Sequence, residues 1–202
     1  MYLDKGKAIF SNYGVRLWKG ILRKIYRFDK WHVVSLRQRK YARDIISWCN
    51  DRPVRNSFLE IGCGLGDVVL NVRYKKIAGC DADPNVLKAA SFLARLRQNR
   101  RIKFSICEFP GTAISGRFDI ILMVNWVHHI EPEILRSELK KYFDTLLDKG
   151  GAIVIDTVHH PEYRYNHDIA YLAKGMEMAA IERIGGYERG RELWAIIKES
   201  HN

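Results

Sequence analysis

Glycine stands at every second position in "FLEIGCGLGD", residues 58–67, where Gly62, Gly64 and Gly66 directly follow the apolar residues Phe58, Leu59 and Ile61. The apolar run reads as a strand, and alternate glycines at its end read as a turn that something approaches closely. Beyond it, short apolar runs alternate with helical patterns, the signature of a parallel sheet with crossover helices. Strands are expected at 57–61, 76–81, 102–107, 118–124 and 151–156. Helices are expected shortly after Gly66, over "PNVLKAASFLARLRQNR" with Pro84 in its first turn, over "EPEILRSELKKYFDTLLDKG", and near 162–175. The last segment, "MAAIERIGGYERGRELWAIIKES", reads as two strands about a Gly-rich turn, an antiparallel hairpin at the sheet edge.

The 202 residues suit one domain, and a 47% hydrophobic composition supplies a sizeable core. No apolar stretch approaches the ~20 residues of a membrane span, and Asp4, Lys5 and Lys7 interrupt the start. The expected location is therefore cytoplasmic. Cys49, Cys63, Cys80 and Cys107 lack C-x-x-C spacing and read as buried reduced thiols, with no metal site expected.

Charge is uneven. Residues 1–55 hold 14 Lys/Arg against 4 Asp/Glu, net +10, whereas 56–202 hold 20 against 19, net +1. The basic segment therefore points to an anionic partner: a phosphorylated substrate, nucleic acid or lipid headgroups. "YGVRLWKGILRKIYRF" places Val15, Trp18, Ile21, Leu22 and Ile25 at helical spacing, with Arg16, Lys19, Arg23, Lys24 and Arg27 between them. Such a helix either packs its apolar stripe on the domain with a solvated basic face, or rests on an anionic membrane as a peripheral contact. A second helix is expected over Ser35–Trp48. Residues 1–55 form a basic helical extension and 56–202 the nucleotide-binding-type domain.

A glycine-rich turn between the first strand and the first helix of that domain lies at the carboxyl end of the sheet, where open α/β folds bind nucleotides. Asp81, ending the second strand, can accept ribose hydroxyl hydrogen bonds from either NAD or S-adenosylmethionine. The glycine spacing separates the two. It is Glu60-x-Gly62-x-Gly64-x-Gly66 rather than G-x-G-x-x-G, and it resembles the E/D-x-G-x-G-x-G motif of class I S-adenosylmethionine-dependent methyltransferases.

That resemblance extends over 57–198. "IAGCDADPNVL" is similar to the family's second motif, which implies ribose binding by Asp81 beside Ala82; "FSICEF" is similar to the third, which implies Glu108 at the adenine amine with Cys107 or Phe109 lining its pocket. "FDIILMVNWVHHI" resembles the fourth-strand motif, which implies Asn125 and Trp126 beside the methionine part, and "LLDKGGAIVIDTV" resembles the fifth. With Glu60, Gly62, Cys63, Gly64 and Gly66 these complete the implied cofactor site. The implied fold is a doubly wound Rossmann-like α/β domain with seven strands, mostly parallel, and an antiparallel C-terminal hairpin, preceded by N-terminal helices. Glu60 either meets the cofactor's amino group or holds the glycine loop by accepting backbone hydrogen bonds.

Methyl transfer to a hydroxyl needs alignment and a base. His129, His159 and His160 are the candidate catalytic residues, at the ends of strands four and five, with Tyr163, Tyr165 and His167 close behind. His128 and His129 have a second reading, as packing or capping residues, and Asp156 either assists or caps its strand. "NWVH" replaces the N/D-P-P-Y/F motif of enzymes that methylate base or glutamine amines, and no Pro-Cys nucleophile follows. "FDKWHVVSLRQRKYARDII" resembles the entry segment of small bacterial methyltransferases acting on surface glycans. The leading expectation is O-methylation of a small or glycan acceptor of anionic character, phosphorylated or lipid-linked. An RNA methyltransferase and a non-catalytic methyltransferase-like module are the alternatives.

Overall fold

The computed structural model describes residues 12–99 and 101–199. All seven strands join one sheet in the order β3-β2-β1-β4-β5-β7-β6. The strands are β1 (Ser57–Ile61), β2 (Lys76–Asp81), β3 (Ile102–Ile106), β4 (Phe118–Met123), β5 (Leu147–Thr157), β6 (Ala179–Tyr187) and β7 (Arg191–Lys198). β1 to β5 pair in parallel, while β7 runs antiparallel to both β5 and β6. Four expected strands fall within one residue of their observed ends. β5 starts four residues earlier than its apolar run, because Leu147 pairs with Phe118 across an irregularity in register.

Period-two alternation in fully buried strands builds two cores. Phe58, Ile120, Leu122 and Val154 join Ile45 and Cys49 on one face; Leu59, Ile61, Ile121, Met123 and Ile155 join Leu135, Leu139 and Phe143 on the other. The helices are α1 (Asn12–Tyr26), α2 (Lys40–Asn50), α3 (Pro84–Leu96), α4 (Pro132–Thr145) and α5 (Ile169–Leu172). α3 begins as the sequence suggests, with Pro84 in its first turn and the Asp83 carboxylate accepting from the Asn85 N–H at 2.8 Å. All four cysteines are buried free thiols.

Three expectations are corrected. No regular helix follows Gly66: residues 66–71 make single helical-type bonds, such as Leu70 N–H to Gly66 O at 3.0 Å, within consecutive turns. The helical stretch near 162–175 reduces to α5, whose first turn is capped by Asp168. The segment expected to be helical from Ser35 opens as a 3-10 turn, Leu36–Gln38, and becomes α-helical at Lys40.

The N-terminal helix also differs from its expected orientation. Trp18 and Leu22 pack against Phe92, Val86, Ala89 and Leu93 of α3, but Ile21 and Ile25 face outward and Lys19 is buried. The side chain of Val15 and that of Arg16 lie outside the described residues, as do residues 1–11 and 200–202. Among the described residues no helix is long and apolar enough to cross a membrane.

Candidate cofactor and acceptor site

The glycine turn is held from behind before anything binds in front. The N–H groups of Gly62 and Cys63 both donate to Cys80 O, at 2.8 and 2.9 Å, and Gly66 N–H donates to Cys63 O. Asp81 accepts from Gly64 N–H at 2.8 Å with one oxygen and from Asp83 N–H at 3.0 Å with the other. Those amides are already occupied within the turn. Gly62, Gly64 and Gly66 have φ of 75°, 54° and 80°, a region where L side chains are disfavoured.

Two rings occupy that face. The Trp126 indole lies on Gly62, so that a Cβ there would overlap it, and its N–H donates to Ile61 O at 2.8 Å. The His32 ring lies on Gly64, with Nδ1 3.0 Å from where a Cβ would stand, and stacks on Trp31 at 3.8 Å. Arg39, Tyr41, Glu60 and Asp67 complete the walls, and the enclosed space is only about 50 Å³. Burial pushes the His32 imidazole down from its ordinary value. His32 reaches Gly64 across a sequence gap that no local pattern signals.

Behind the turn, Glu60 accepts from Val69 N–H at 3.1 Å. This supports the loop-holding alternative, since the bond ties the strand end to the turns after Gly66. Burial drives the Glu60 carboxyl well above its ordinary 4.5, opposed in part by the Val69 bond. Between 4.5 and its folded value, the native state keeps a proton that the unfolded state has lost. Stability from this group accordingly falls as pH rises through that window. Glu60→Gln retains an acceptor for Val69 N–H and removes the buried charge. Thermal melts from pH 5 to 8 should show a flatter profile for the variant and, at pH 7, a Tm no lower than the parent's. A drop of several degrees at pH 7 would mean that the carboxylate charge itself holds the loop.

Asp67, just after the last glycine, anchors the N-terminal segment. Both its oxygens accept from Lys19 Nζ, at 2.7 and 2.8 Å, and Arg39 Nη1 lies 3.3 Å away. Lys19 is 1% exposed, so its ammonium enters the protein as a paired charge rather than facing solvent.

At the adenine end of the implied site, Cys107 is buried, Phe109 is half-buried and meets Trp126 edge-on at 5.1 Å, and Glu108 and Ala82 are exposed. Asn125 has φ 72° and its N–H donates to Asp156 Oδ1 at 2.9 Å. Asp156 is fully buried and pairs with Arg191, which stacks over Tyr41. It therefore fixes the strand-four exit rather than facing an acceptor.

The residues after Trp126 form a 3-10 turn, Val127–His129. His128 is buried beside His129 and Tyr163, with ring centroids at 4.2 and 4.5 Å, and His160 lies 6.1 Å from Tyr163. Tyr165 N–H donates to His128 O at 3.1 Å, tying the loop after β5 to the end of β4. Burial lowers the His128 imidazole to about 4, with smaller contributions from His129 and Arg191. His167 bonds Val127 O at 3.0 Å. His159 stands apart, its N–H bonded to Gly190 O, and lines an open hollow at the β6–β7 hairpin with Tyr187 and Arg191. His129 and His160 are thus linked through His128 and Tyr163 in one aromatic cluster to which His159 does not belong.

Residues 59–153 match the family model described as a methyltransferase domain. Residues 59–153 therefore carry a methyltransferase domain, with S-adenosylmethionine as its cofactor. No curated protein matches the sequence. Among solved structures, magnesium protoporphyrin IX methyltransferase (ChlM) from Synechocystis PCC 6803 with bound SAM is similar to this methyltransferase at 15% identity. That match covers 98% of this chain and 99% of that one, with a TM-score of 0.67. The N-methyltransferase NodS from Bradyrhizobium japonicum WM9 in complex with S-adenosyl-L-homocysteine is 15% identical, covering 81% and 87%, with a TM-score of 0.66. An O-methyltransferase family protein from Burkholderia thailandensis is 12% identical, covering 96% and 64%, with a TM-score of 0.62. At these identities the likeness is one of fold.

The donor set of this methyltransferase suits its cofactor. The turn presents no side chain of its own where Trp126 and His32 cover Gly62 and Gly64, a carboxylate stands at the end of β2, and an apolar pair stands at the end of β3.

Proposed function

We propose that the protein methylates an oxygen atom of a small or glycan acceptor of anionic character. The observation that carries this reading is the His129, His160 and Tyr163 rim beside Trp126, where β4 and the loop after β5 meet. When bound, S-adenosylmethionine supplies a methyl group on positively charged sulfur. Aligning an acceptor oxygen in line with that methyl and taking its proton are then the protein's tasks.

Asp81 has lone pairs left beyond its two backbone bonds, enough to accept ribose hydroxyls, as the family resemblance implies. Glu108 is assigned to the adenine amine, Cys107 and Phe109 to the adenine walls, and Asn125 and Trp126 to the methionine part. Arg39, half-buried beside the turn, offers a cation to the methionine carboxylate. His129 is solvent-exposed and His160 half-exposed, so either imidazole can receive the acceptor proton. His128, kept neutral by burial, supports the rim.

The basic N-terminal segment suits a phosphorylated or lipid-linked acceptor. Leu17, Ile21 and Ile25 are exposed on α1 with Arg23 and Lys24 alongside, which favours peripheral contact with an anionic membrane from the cytoplasmic side. ChlM, by its name, acts on magnesium protoporphyrin IX, a small acceptor, and NodS is named an N-methyltransferase.

Methyl incorporation into a panel of hydroxyl, carboxyl, amine and RNA acceptors, followed by mass spectrometry, tests the reading. His129→Ala or His160→Ala should lower kcat for a hydroxyl acceptor by about 10²- to 10⁴-fold, with S-adenosylhomocysteine affinity unchanged. Methylation confined to amines, indifferent to both histidines, would overturn it.

A further inference from the structure

A second concave surface lies at the other end of the sheet. Because β1, β2 and β3 are parallel, the segments entering them, residues 53–56, 72–75, and 97–99 with 101, gather at the end opposite the glycine turn. They line an open groove of about 1010 Å³ together with Ile77. Arg55, Arg73, Lys75, Arg97 and Arg101 all contribute to this lining, which contains no Asp or Glu. None of the five forms a salt bridge among the described residues.

Among the described residues their side-chain hydrogen bonds go to neutral acceptors. Arg55 donates to Asn50 O at 2.6 Å, Lys75 to Asn56 Oδ1 at 2.9 Å, and Arg97 to Asn71 Oδ1 at 3.3 Å. Asp119, near the rim, is buried, and its carboxylate accepts from the N–H groups of Asn56 and Ser57, which leaves it turned into the fold. Arg97 is half-buried, and burial lowers its pKa. Asp67, paired with Lys19, lies near enough to Arg97 to oppose that shift. The other four cations have no carboxylate in the groove lining, and three separate segments must each place at least one cation here for the cluster to exist. Arg55 ends the basic segment, whereas Arg73, Lys75, Arg97 and Arg101 come from residues 56–202, whose net charge is only +1, so topology rather than a basic composition gathers those four.

We propose that this groove binds a ligand carrying several consecutive phosphates, at a site separate from the cofactor cradle. Arginine forks and a lysine match phosphate oxygens, and an open groove admits a linear chain of them. Two sources carry that chemistry, a phosphodiester backbone and a free polyphosphate chain.

The test uses the full-length protein with a labelled single-stranded RNA oligonucleotide and, separately, inorganic tripolyphosphate, at 50 and 200 mM salt. The variant Arg73→Glu/Arg101→Glu changes two exposed side chains of the groove. The control Lys141→Glu/Lys174→Glu makes the same change in net charge on exposed residues of α4 and just beyond α5. The groove variant should lose at least about tenfold in affinity, and its salt slope for RNA should shrink by about 1.4, two contacts at roughly 0.7 each. Its S-adenosylhomocysteine affinity should be unchanged. Binding of RNA alone identifies a phosphodiester ligand; binding of tripolyphosphate, with or without RNA, identifies a phosphate chain as sufficient. Binding of neither, or an equal loss in the control, would overturn the proposal.

Discussion

Replacing Asp67 with alanine is expected to lower the unfolding free energy by about 3–5 kcal/mol, the usual effect of removing one partner from a buried ion pair. Lys19 is 1% exposed and meets both Asp67 oxygens at 2.7 and 2.8 Å, with Val34 O at 3.3 Å as its other acceptor. Without the carboxylate, an ammonium would remain in the interior facing one carbonyl and, nearby, the Arg39 guanidinium. Burial already lowers the Lys19 pKa, and Asp67 is the main group opposing that shift. In the variant the folded pKa falls further below the unfolded 10.5. The unfolded chain then binds more protons between those two values, so the stability of the variant rises with pH through that window. Denaturant titrations at pH 7 and pH 9 should therefore show the deficit narrowing at the higher pH. The double variant Lys19→Met/Asp67→Leu, which removes both charges, should recover much of the loss. A deficit below about 1 kcal/mol at pH 7 would place the pair with ordinary surface bridges.

Lys19 also shows where reading the sequence stops. Its spacing from Arg16 and Arg23 assigns it to a basic helical face, and nothing local distinguishes a lysine whose stem is buried from one that is solvated. The partner is 48 residues away, just past the glycines. Ile21 and Ile25 fail for the converse reason. A 3.6-residue period reports that a helix has an apolar stripe, while which stripe meets the core depends on the surface that α3 offers. The inner strands were legible because burial on both faces leaves continuous apolar runs. The β6–β7 hairpin was legible as a pair of strands, but Gly185 and Gly186, read as its turn, lie inside β6 at a register irregularity, and the turn is Glu188–Gly190. Positive φ at the three glycines agrees with the motif that led to them. Trp126 was assigned to the methionine end through the family resemblance, but its seat on Gly62 belongs to the folded chain alone. His32, Arg39 and Tyr41 were missed as walls of the site because their segment was read for charge, for a helix and as an acceptor-side entry, and nothing local signals its return to the glycine turn. The groove of five cations was hidden for another reason, its members being spread over the starts of three strands.

Gly62→Val should abolish cofactor binding, with an affinity loss of at least 100-fold, about 2.7 kcal/mol, in calorimetric titration with S-adenosylhomocysteine. Gly62 sits at φ 75°, where an L residue costs roughly 1–2 kcal/mol and a β-branched one is a rare outlier. Its first side-chain carbon would stand inside the Trp126 indole, so the ring would lose its bond to Ile61 O while the valine covered the Cα face of the turn. Circular dichroism separates loss of the site from loss of the fold. The parent makes a linked prediction, since the Trp126 indole lies on Gly62 and the His32 ring on Gly64. A cofactor seated against Gly62 displaces the indole from it. Saturating S-adenosylhomocysteine should change the tryptophan emission of the parent, and most of that change should vanish in Trp126→Phe while persisting in Trp31→Phe. A Gly62→Val protein that binds with parental affinity would remove the turn from the cofactor site. A parent that binds without any change in emission would mean that the cofactor enters beside the indole and leaves it seated on the glycine.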